Sequence, residues 1–378
     1  TLSNQARQKI SPVYFENLDA LRFLAAFSVF IFHYFRDIKA FYPGIEENNI
    51  FRILLVIADK GGLGVNFFFV LSGFLITYLI FQEKQTTGTF SLGKFLIRRT
   101  LRIWPLYFII ILIGFILFPM MFDWYQTIHN PYMYVFFLAN FDEITNGLHD
   151  SVNFLTAPWS VAVEEQFYLF WSIILFALFK LKKVRFEFLI LILYILSFWF
   201  REIFWHNERV IYYHTFSVCQ DILTGAFTGY ALFFKHKWID QITNMSRWKI
   251  VAVYAIGFTL CIAKNKLFAG QLIIAERFVL SLFFAFIILE QSKGKNSLFK
   301  FGKITFLNYL GKISYGFYMY HLVVMFVICR LIEIYFPTGY YLIPFYFAAS
   351  LLITVAVSAI SYKFLESPLL QLKKKFGH

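Results

Sequence analysis

The stretch LDALRFLAAFSVFIFHYF, residues 18–35, decides how this chain is read. It has the continuous apolar character of a membrane helix, yet it keeps a cation, Arg22, and an imidazole, His33. Burying such groups against lipid is expensive, so both need protein or water around them. Eleven steps of about 100° make three turns plus about 20°, which places the two side chains on one helix face. At 1.5 Å per residue they stand ~16 Å apart along the axis. One face therefore carries a cation near one membrane surface and a candidate proton acceptor near the other.

The rest of the chain extends this reading. Of 378 residues, 59% are hydrophobic, 52 are Phe and only 15% are charged, which excludes an ordinary soluble domain. The apolar segments are long and continuous rather than alternating, so the expected class is all-α, a polytopic bundle and not a barrel. Ten spans are expected, near residues 18–36, 63–82, 104–122, 159–180, 186–204, 214–234, 249–268, 272–290, 307–332 and 341–363. The run PYMYVFFLANF (131–141) is too short to span and reads as a re-entrant or surface segment. An even count puts both termini on one side. That side collects about 22 Lys and Arg against about 8 opposite, so both termini are expected in the cytoplasm. Basic clusters at 84–102, 180–185, 235–249, 293–303 and 373–375 fall there. The loop 123–158 contains no Lys or Arg but holds Asp123, Asp142, Glu143 and Asp150. The net charge of +13 thus reads as topology, with membrane lipids as the partner and no nucleic acid. The first seventeen or so residues show no cleavable signal pattern, and the first helix is expected to act as an uncleaved anchor. Residues 1–378 read as a single transmembrane domain, with no repeats and no fused extracytoplasmic domain. Cys219, Cys261 and Cys329 have neither metal nor disulfide spacing. His129, His149, His206 and His214, in or beside external loops, share no ligand spacing, so no metal site is expected. No phosphate-binding loop or dinucleotide fingerprint is present.

Four further motifs carry candidate chemistry. In FLIRRTLRIWPLYF (95–108), Arg99 and Arg102 share a helix face, Arg98 adds a third guanidinium, and Pro105 suits the first turn of a helix. Arginine suits bidentate phosphate contacts, although snorkelling anchors have the same composition. In TAPWSVAVEEQFYLFW (156–171), Glu164 and Glu165 lie roughly 7–9 Å below Trp159. Either carboxylate at the depth of His33 would orient and charge-stabilise the imidazole; an ion pair with an Arg is the plainer use. GGLGVNFFFVLSGFLIT (61–77) places Gly61, Gly62, Gly64, Ser72 and Gly73 where helices pack closely or a slender ligand approaches, packing being the commoner reason. In LGKISYGFYMYHLVV (310–324), Ser314 and His321 share a face and suit a channel lining or an interhelical contact. Glu366 beside Pro368 in YKFLESP (362–368) reads as a helix end.

The order of these motifs resembles acyltransferase family 3, integral-membrane enzymes that modify bacterial surface carbohydrates. The resemblance runs through residues 18–368. It implies an acyltransferase of the O-acetyltransferase kind in the bacterial inner membrane. It also implies acyl-CoA, chiefly acetyl-CoA, as cytosolic co-substrate, no permanently bound cofactor, and a sugar hydroxyl of an extracytoplasmic glycan or lipid-linked saccharide as acceptor. By the family's pattern His33 is the essential histidine, Arg22 its helix-one arginine, Arg99 and Arg102 the paired arginines, and Glu164 with Glu165 the acidic pair. The nucleotide of coenzyme A cannot enter lipid, so the arginines would hold it while its slender arm spans the ~16 Å to His33. His33 then either deprotonates the acceptor or takes the acyl group itself. A transporter or flippase of a lipid-linked sugar is the rival reading, since intramembrane charges suit it too.

Overall fold

In the computed structural model the structure describes residues 15–42, 44–122, 127–146, 154–181, 185–335 and 339–372. All regular elements there are helical. The long ones are α1 (Glu16–Phe41), α3 (Leu63–Thr87), α4 (Leu92–Leu112), α5 (Pro158–Leu181), α6 (Phe186–Phe204), α7 (Thr215–Phe233), α8 (Arg247–Leu267), α9 (Ile273–Lys293), α10 (Ser314–Tyr335) and α11 (Leu342–Ser361), with the shorter α2 (Asn49–Asp59) between α1 and α3. Asp123, His149, Asp150 and the basic cluster 373–375 lie outside the described residues.

Eight helical segments among the described residues are long and apolar enough to cross a membrane. The chain is an all-α, polytopic membrane protein. The two remaining expected spans, α6 and α7, are helices of 19 residues each that carry polar groups within their length, Arg201 on one and Asp221 on the other. The reason is position. Helix α7 is buried on most of its surface, and a helix that faces protein needs no uniformly apolar coat.

Helix α7 packs on α3 at backbone contact. A Cβ on Gly73 would stand 2.0 Å from the carbonyl oxygen of Ile222, and one on Gly225 would stand 1.9 Å from that of Val70. Only glycine permits this crossing. Gly61 and Gly64 seat the start of α3 on α1 in the same way, against Ser28 and Ala25. The two ends of α1 meet different neighbours. Asn17 donates to the carbonyl of Gln291 at the end of α9, whereas Tyr34 donates to that of Ile343 at the start of α11.

Three local features depart from the expected pattern. Pro105 does not open a helix; α4 begins at Leu92 and carries the proline inside. The basic, amphipathic lead-in 92–103 is itself helical, so the proline costs one interior hydrogen bond rather than marking a start. Helix α2 is new. Asn48 caps it by accepting from Ile50 N at 2.9 Å, and Ile50, Ile53, Leu54 and Ile57 leave an exposed apolar stripe of the kind that lies in a membrane interface. The short run after 130 forms two brief helices, Pro131–Val135 and Ala139–Asn146, folded against the bundle with Tyr134, Asp142 and Glu143 buried.

Candidate active site

Two cavities meet inside the bundle. The first, about 110 Å³, is lined by Arg22 of α1, Ser72 of α3, Arg99 and Arg102 of α4, Glu164 and Tyr168 of α5, and Ser314, Tyr315 and Tyr318 of α10. The second, about 450 Å³, is lined by His33 and Arg36 of α1, Asn66 of α3, Trp159 at the start of α5, Arg277 of α9, and again Tyr318. Val65 and Tyr318 belong to both walls. Arg22 and His33 thus open into different but adjoining chambers, as their shared helix face required.

The arginines of the first chamber differ in what they already hold. Arg22 pairs with Asp19 one turn back. Arg98 points away and pairs with Glu83 at 2.5 Å, so this third guanidinium of the donor set is not a wall residue. None of the ion pairs among the described residues uses Arg99 or Arg102. The Arg99 guanidinium lies between the rings of Phe95 and Tyr168, at 5.4 and 5.7 Å, and its buried Nε has no hydrogen-bond partner. A buried guanidinium with an unmet donor is a standing demand for an anion.

Glu164 faces this chamber and not His33. Its Oε1 accepts from Ser72 Oγ at 2.7 Å, and its Oε2 lies 2.9 Å from Tyr168 Oη, one helical turn on. Glu165 turns to the other side, where its Oε2 accepts from Trp104 Nε1 at 2.9 Å. The expected Glu–His pair is therefore not formed. The reason is that the segment before α5 dips inward: Phe154, Leu155 and Ala157 are buried, and Thr156, Ala157 and Trp159 already line the His33 chamber. Helix α5 starts at the level of His33, so residues five and six steps on lie ~7–9 Å deeper, among the arginines.

The imidazole beside His33 is that of His321, ring centroid to ring centroid 5.3 Å. His321 Nδ1 lies 2.5 Å from the Tyr318 carbonyl oxygen, to which it can only donate, so its Nε2 bears the lone pair. That nitrogen is buried and has no partner. His321 lines neither chamber and stands behind the wall that Tyr318 forms. Tyr318 Oη is held 2.8 Å from Ser160 Oγ, so α5 and α10 are latched at the junction. Ser314 lines the arginine chamber, its hydroxyl donating to the Gly311 carbonyl at 2.8 Å.

Several polar residues have no counterpart in the sequence-derived set. Asp221 accepts from Arg277 at 2.6 Å and from Asn66 at 3.0 Å beneath the His33 chamber. Both charges sit inside expected spans, which is the signal that marks them. Tyr168 is four residues after Glu164, a helical spacing that was legible. Tyr315 donates to the Ile103 carbonyl at 2.8 Å, tying α10 to the arginine helix. No signal in the short loop foretold that Asp142 receives His129, Asn130 N and Asn146. Burial works against the Asp142 carboxylate, but those three donors outweigh it and hold it below its ordinary range. Burial, with the charge of Asp142 beside it, outweighs the hydrogen bonds from Tyr134 and Thr156 and pushes its neighbour Glu143 up to about 7. Among the described residues no group of His, Cys, Asp and Glu has the arrangement of a metal site.

The family model described as an acyltransferase domain, Acyl_transf_3, matches residues 15–363. The chain belongs to this acyltransferase family. It is 27% identical to the O-acetyltransferase OatA of Staphylococcus aureus (strain NCTC 8325 / PS 47) over 379 residues, covering 95% of this chain and 58% of the relative. A provisionally named O-acetyltransferase of Staphylococcus aureus (strain COL) is 25% identical over 374 residues, covering 94% of this chain and 57% of the relative. The chain thus spans a little over half the length of these relatives. No solved structure matches it.

Proposed function

We propose that this acyltransferase moves an acyl group, acetyl in the first instance, from acyl-CoA in the cytosol to a sugar hydroxyl of a glycan or lipid-linked saccharide on the far side of the bacterial inner membrane. The observation that carries the reading is the pair of adjoining chambers. One presents Arg99 and Arg102, neither in an ion pair among the described residues, the other presents His33, and both share Val65 and Tyr318. The positive-inside asymmetry puts the arginine chamber toward the cytosol.

The division of labour follows from chamber size. The narrow arginine chamber suits the phosphates at its mouth and a thin arm within; the wide His33 chamber suits a sugar. Arg99 and Arg102 bind the anionic part of the donor, with Arg22 beside the arm. Glu164, held by Ser72 and Tyr168, keeps the cavity from carrying an unbalanced charge. His33 accepts the proton of the acceptor hydroxyl as its oxygen attacks the thioester carbonyl. The carbon–sulfur bond breaks, and the thiolate leaves and takes up a proton, so that the products are the ester and free coenzyme A. Among the described residues no carboxylate pairs with His33, and the lone pair on His321 Nε2 is the group suited to holding the other ring N–H.

The test uses membrane vesicles bearing the full chain, radiolabelled acetyl-CoA and a measurement of alkali-labile label on glycan. Label that depends on acetyl-CoA and on His33 supports the proposal. Glycan movement without label would instead make the protein a flippase.

A further inference from the structure

The two chambers have two wall residues in common, Val65 of α3 and Tyr318 of α10. Val65 is aliphatic, so Tyr318 brings the polar side chain to the shared wall. Its hydroxyl, and not only its ring, lies at the junction. Tyr318 Oη stands 2.8 Å from Ser160 Oγ, a wall residue of the arginine chamber, and 3.4 Å from the carbonyl oxygen of Ala157, a wall residue of the His33 chamber. The ring is fixed by its neighbours. Phe68 meets it edge-on at 5.9 Å, and the His321 ring lies 5.7 Å away, its Nδ1 bound to the Tyr318 carbonyl. His321 is in turn the imidazole beside His33.

The hydrogen bonds at this point leave one proton over. Ser160 and Tyr318 carry an O–H each, and a single short bond joins them, in which either oxygen serves as donor. The second proton has the Ala157 carbonyl, 3.4 Å from both oxygens and outside the usual range of an O–H···O bond. A new acceptor at the junction would draw the pair into one order. The phenol is the stronger acid, so Ser160 donates to Tyr318 and Tyr318 donates onward, each bond strengthening the next. The other hydroxyls of the arginine chamber are already committed. Ser72 and Tyr168 donate to Glu164, Ser314 to the Gly311 carbonyl and Tyr315 to that of Ile103. On the His33 side, Asn66 and Arg277 are both engaged by Asp221. Ser160 also stands in the first turn of α5, the end at which the aligned peptide dipoles are positive.

We infer that Tyr318 is a catalytic residue whose hydroxyl donates to the carbonyl oxygen of the thioester as the acceptor attacks, with Ser160 behind it as a positioning residue. The inference rests on the proposal that the acyl group passes from the arginine chamber to His33, which brings the thioester carbonyl to where the chambers meet. As the acceptor oxygen bonds to the carbonyl carbon, the carbonyl electron pair moves onto its oxygen. It returns when the carbon–sulfur bond breaks. Tyr318 gives a hydrogen bond throughout and no proton; the proton of the acceptor hydroxyl goes to His33. A donor fixed where charge develops, in a buried site, stabilises the transition state more than the ground state.

Tyr318→Phe and Ser160→Ala separate this role from that of a latch, because both break the same bond between α5 and α10 and only the first removes the donor. The assay uses vesicles bearing the full chain, radiolabelled acetyl-CoA and alkali-labile label on glycan. Tyr318→Phe is expected to lower kcat about 10²–10³-fold and to leave the KM for acetyl-CoA within about twofold of the parental value. Ser160→Ala should lower kcat only about fivefold, the worth of one ordinary hydrogen bond. A fluorotyrosine at position 318 keeps the ring and has a more acidic hydroxyl, so it should hold kcat at or above the parental value. Equal losses in the Phe and Ala variants overturn the inference, since the bond between the helices would then be what counts. So does a parental kcat in Tyr318→Phe, or a rise in KM alone, either of which makes Tyr318 a plain wall of the donor path. Absence of acetyl-CoA-dependent label with the parental chain defeats the acyl-transfer proposal itself and is thereby distinguished.

Discussion

The arginine chamber and the His33 chamber share α1, α3, α5 and α10 and differ in what the other helices bring to them. At the arginine end the walls close in. Ser72, Glu164 and Tyr168 form one hydrogen-bonded set, and the Arg99 guanidinium lies over two aromatic rings. At the His33 end the walls part, and the imidazole lies against the rings of Phe32 and His321. On the proposed reading, the narrow anion site would serve the phosphates of the donor and the wide one an acceptor of larger girth. The lesson is that the helix-one cation and imidazole face two adjoining chambers, and α5 contributes to the walls of both.

Breaking the wide side should have the largest effect. His33→Ala removes the proposed general base, and acyl transfer should fall by about 10²–10⁴ with donor binding retained. Steady-state rates alongside equilibrium acyl-CoA binding check both halves. Weakened donor binding would move His33 into the donor site.

The narrow side comes next. Arg99→Gln or Arg102→Gln removes a charge-assisted contact worth ~1.5–3 kcal/mol, so the KM for acyl-CoA should rise about tenfold to a hundredfold. Arg98→Gln should disturb stability through Glu83 and leave that KM near the parental value. Equal effects of all three on KM would erase the distinction drawn between them.

At the junction, His321→Ala should lower kcat roughly tenfold through loss of the group that orients His33, and His321→Asn should restore part of it. A KM change without a kcat change would reduce His321 to packing.

The smallest effect lies outside the spans. Burial favours the neutral form of Glu143, whose folded value near 7 exceeds the ordinary 4.5. The folded state binds more protons between those values, so the packing of residues 127–146 should weaken as pH rises from about 4.5 to about 7 and then level off. The full loss is on the order of 3 kcal/mol. Hydrogen exchange of this segment against pH should show the decline, and Glu143→Gln should flatten it. A flat profile over that range would remove Glu143 from control of the segment, since Asp142, held below its ordinary range by its donors, is ionised there in both states and contributes no slope.

The helical bundle was legible because lipid leaves few alternatives: long apolar runs had to be helices. The boundaries were less so. Pro105 suggests a helix start, yet it sits inside α4 because the amphipathic residues before it are equally good helix formers. Helix α7 carries little apolar signal because it is surrounded by protein. In the site, the common face of Arg22 and His33 and the shared face of Arg99 and Arg102 followed from periodicity alone. The partner of Glu164 did not. Depth counted from the ends of α5 assumed that the helix starts at the surface, and nothing in the residues told that TAPWS begins well inside. The neighbour of His33 is likewise a tertiary fact, although His321 was visible as a polar residue on an apolar helix.

The central claim is that one path joins the two chambers past Tyr318. An experimental structure of the full chain with a non-hydrolysable acyl-CoA analogue in a lipid nanodisc tests it most directly. The phosphates are expected beside Arg99 and Arg102, with the analogue's carbonyl carbon within about 4 Å of where an acceptor oxygen would meet His33. An analogue lodged wholly on the arginine side, with Val65 and Tyr318 still closed between it and the imidazole, would contradict the account.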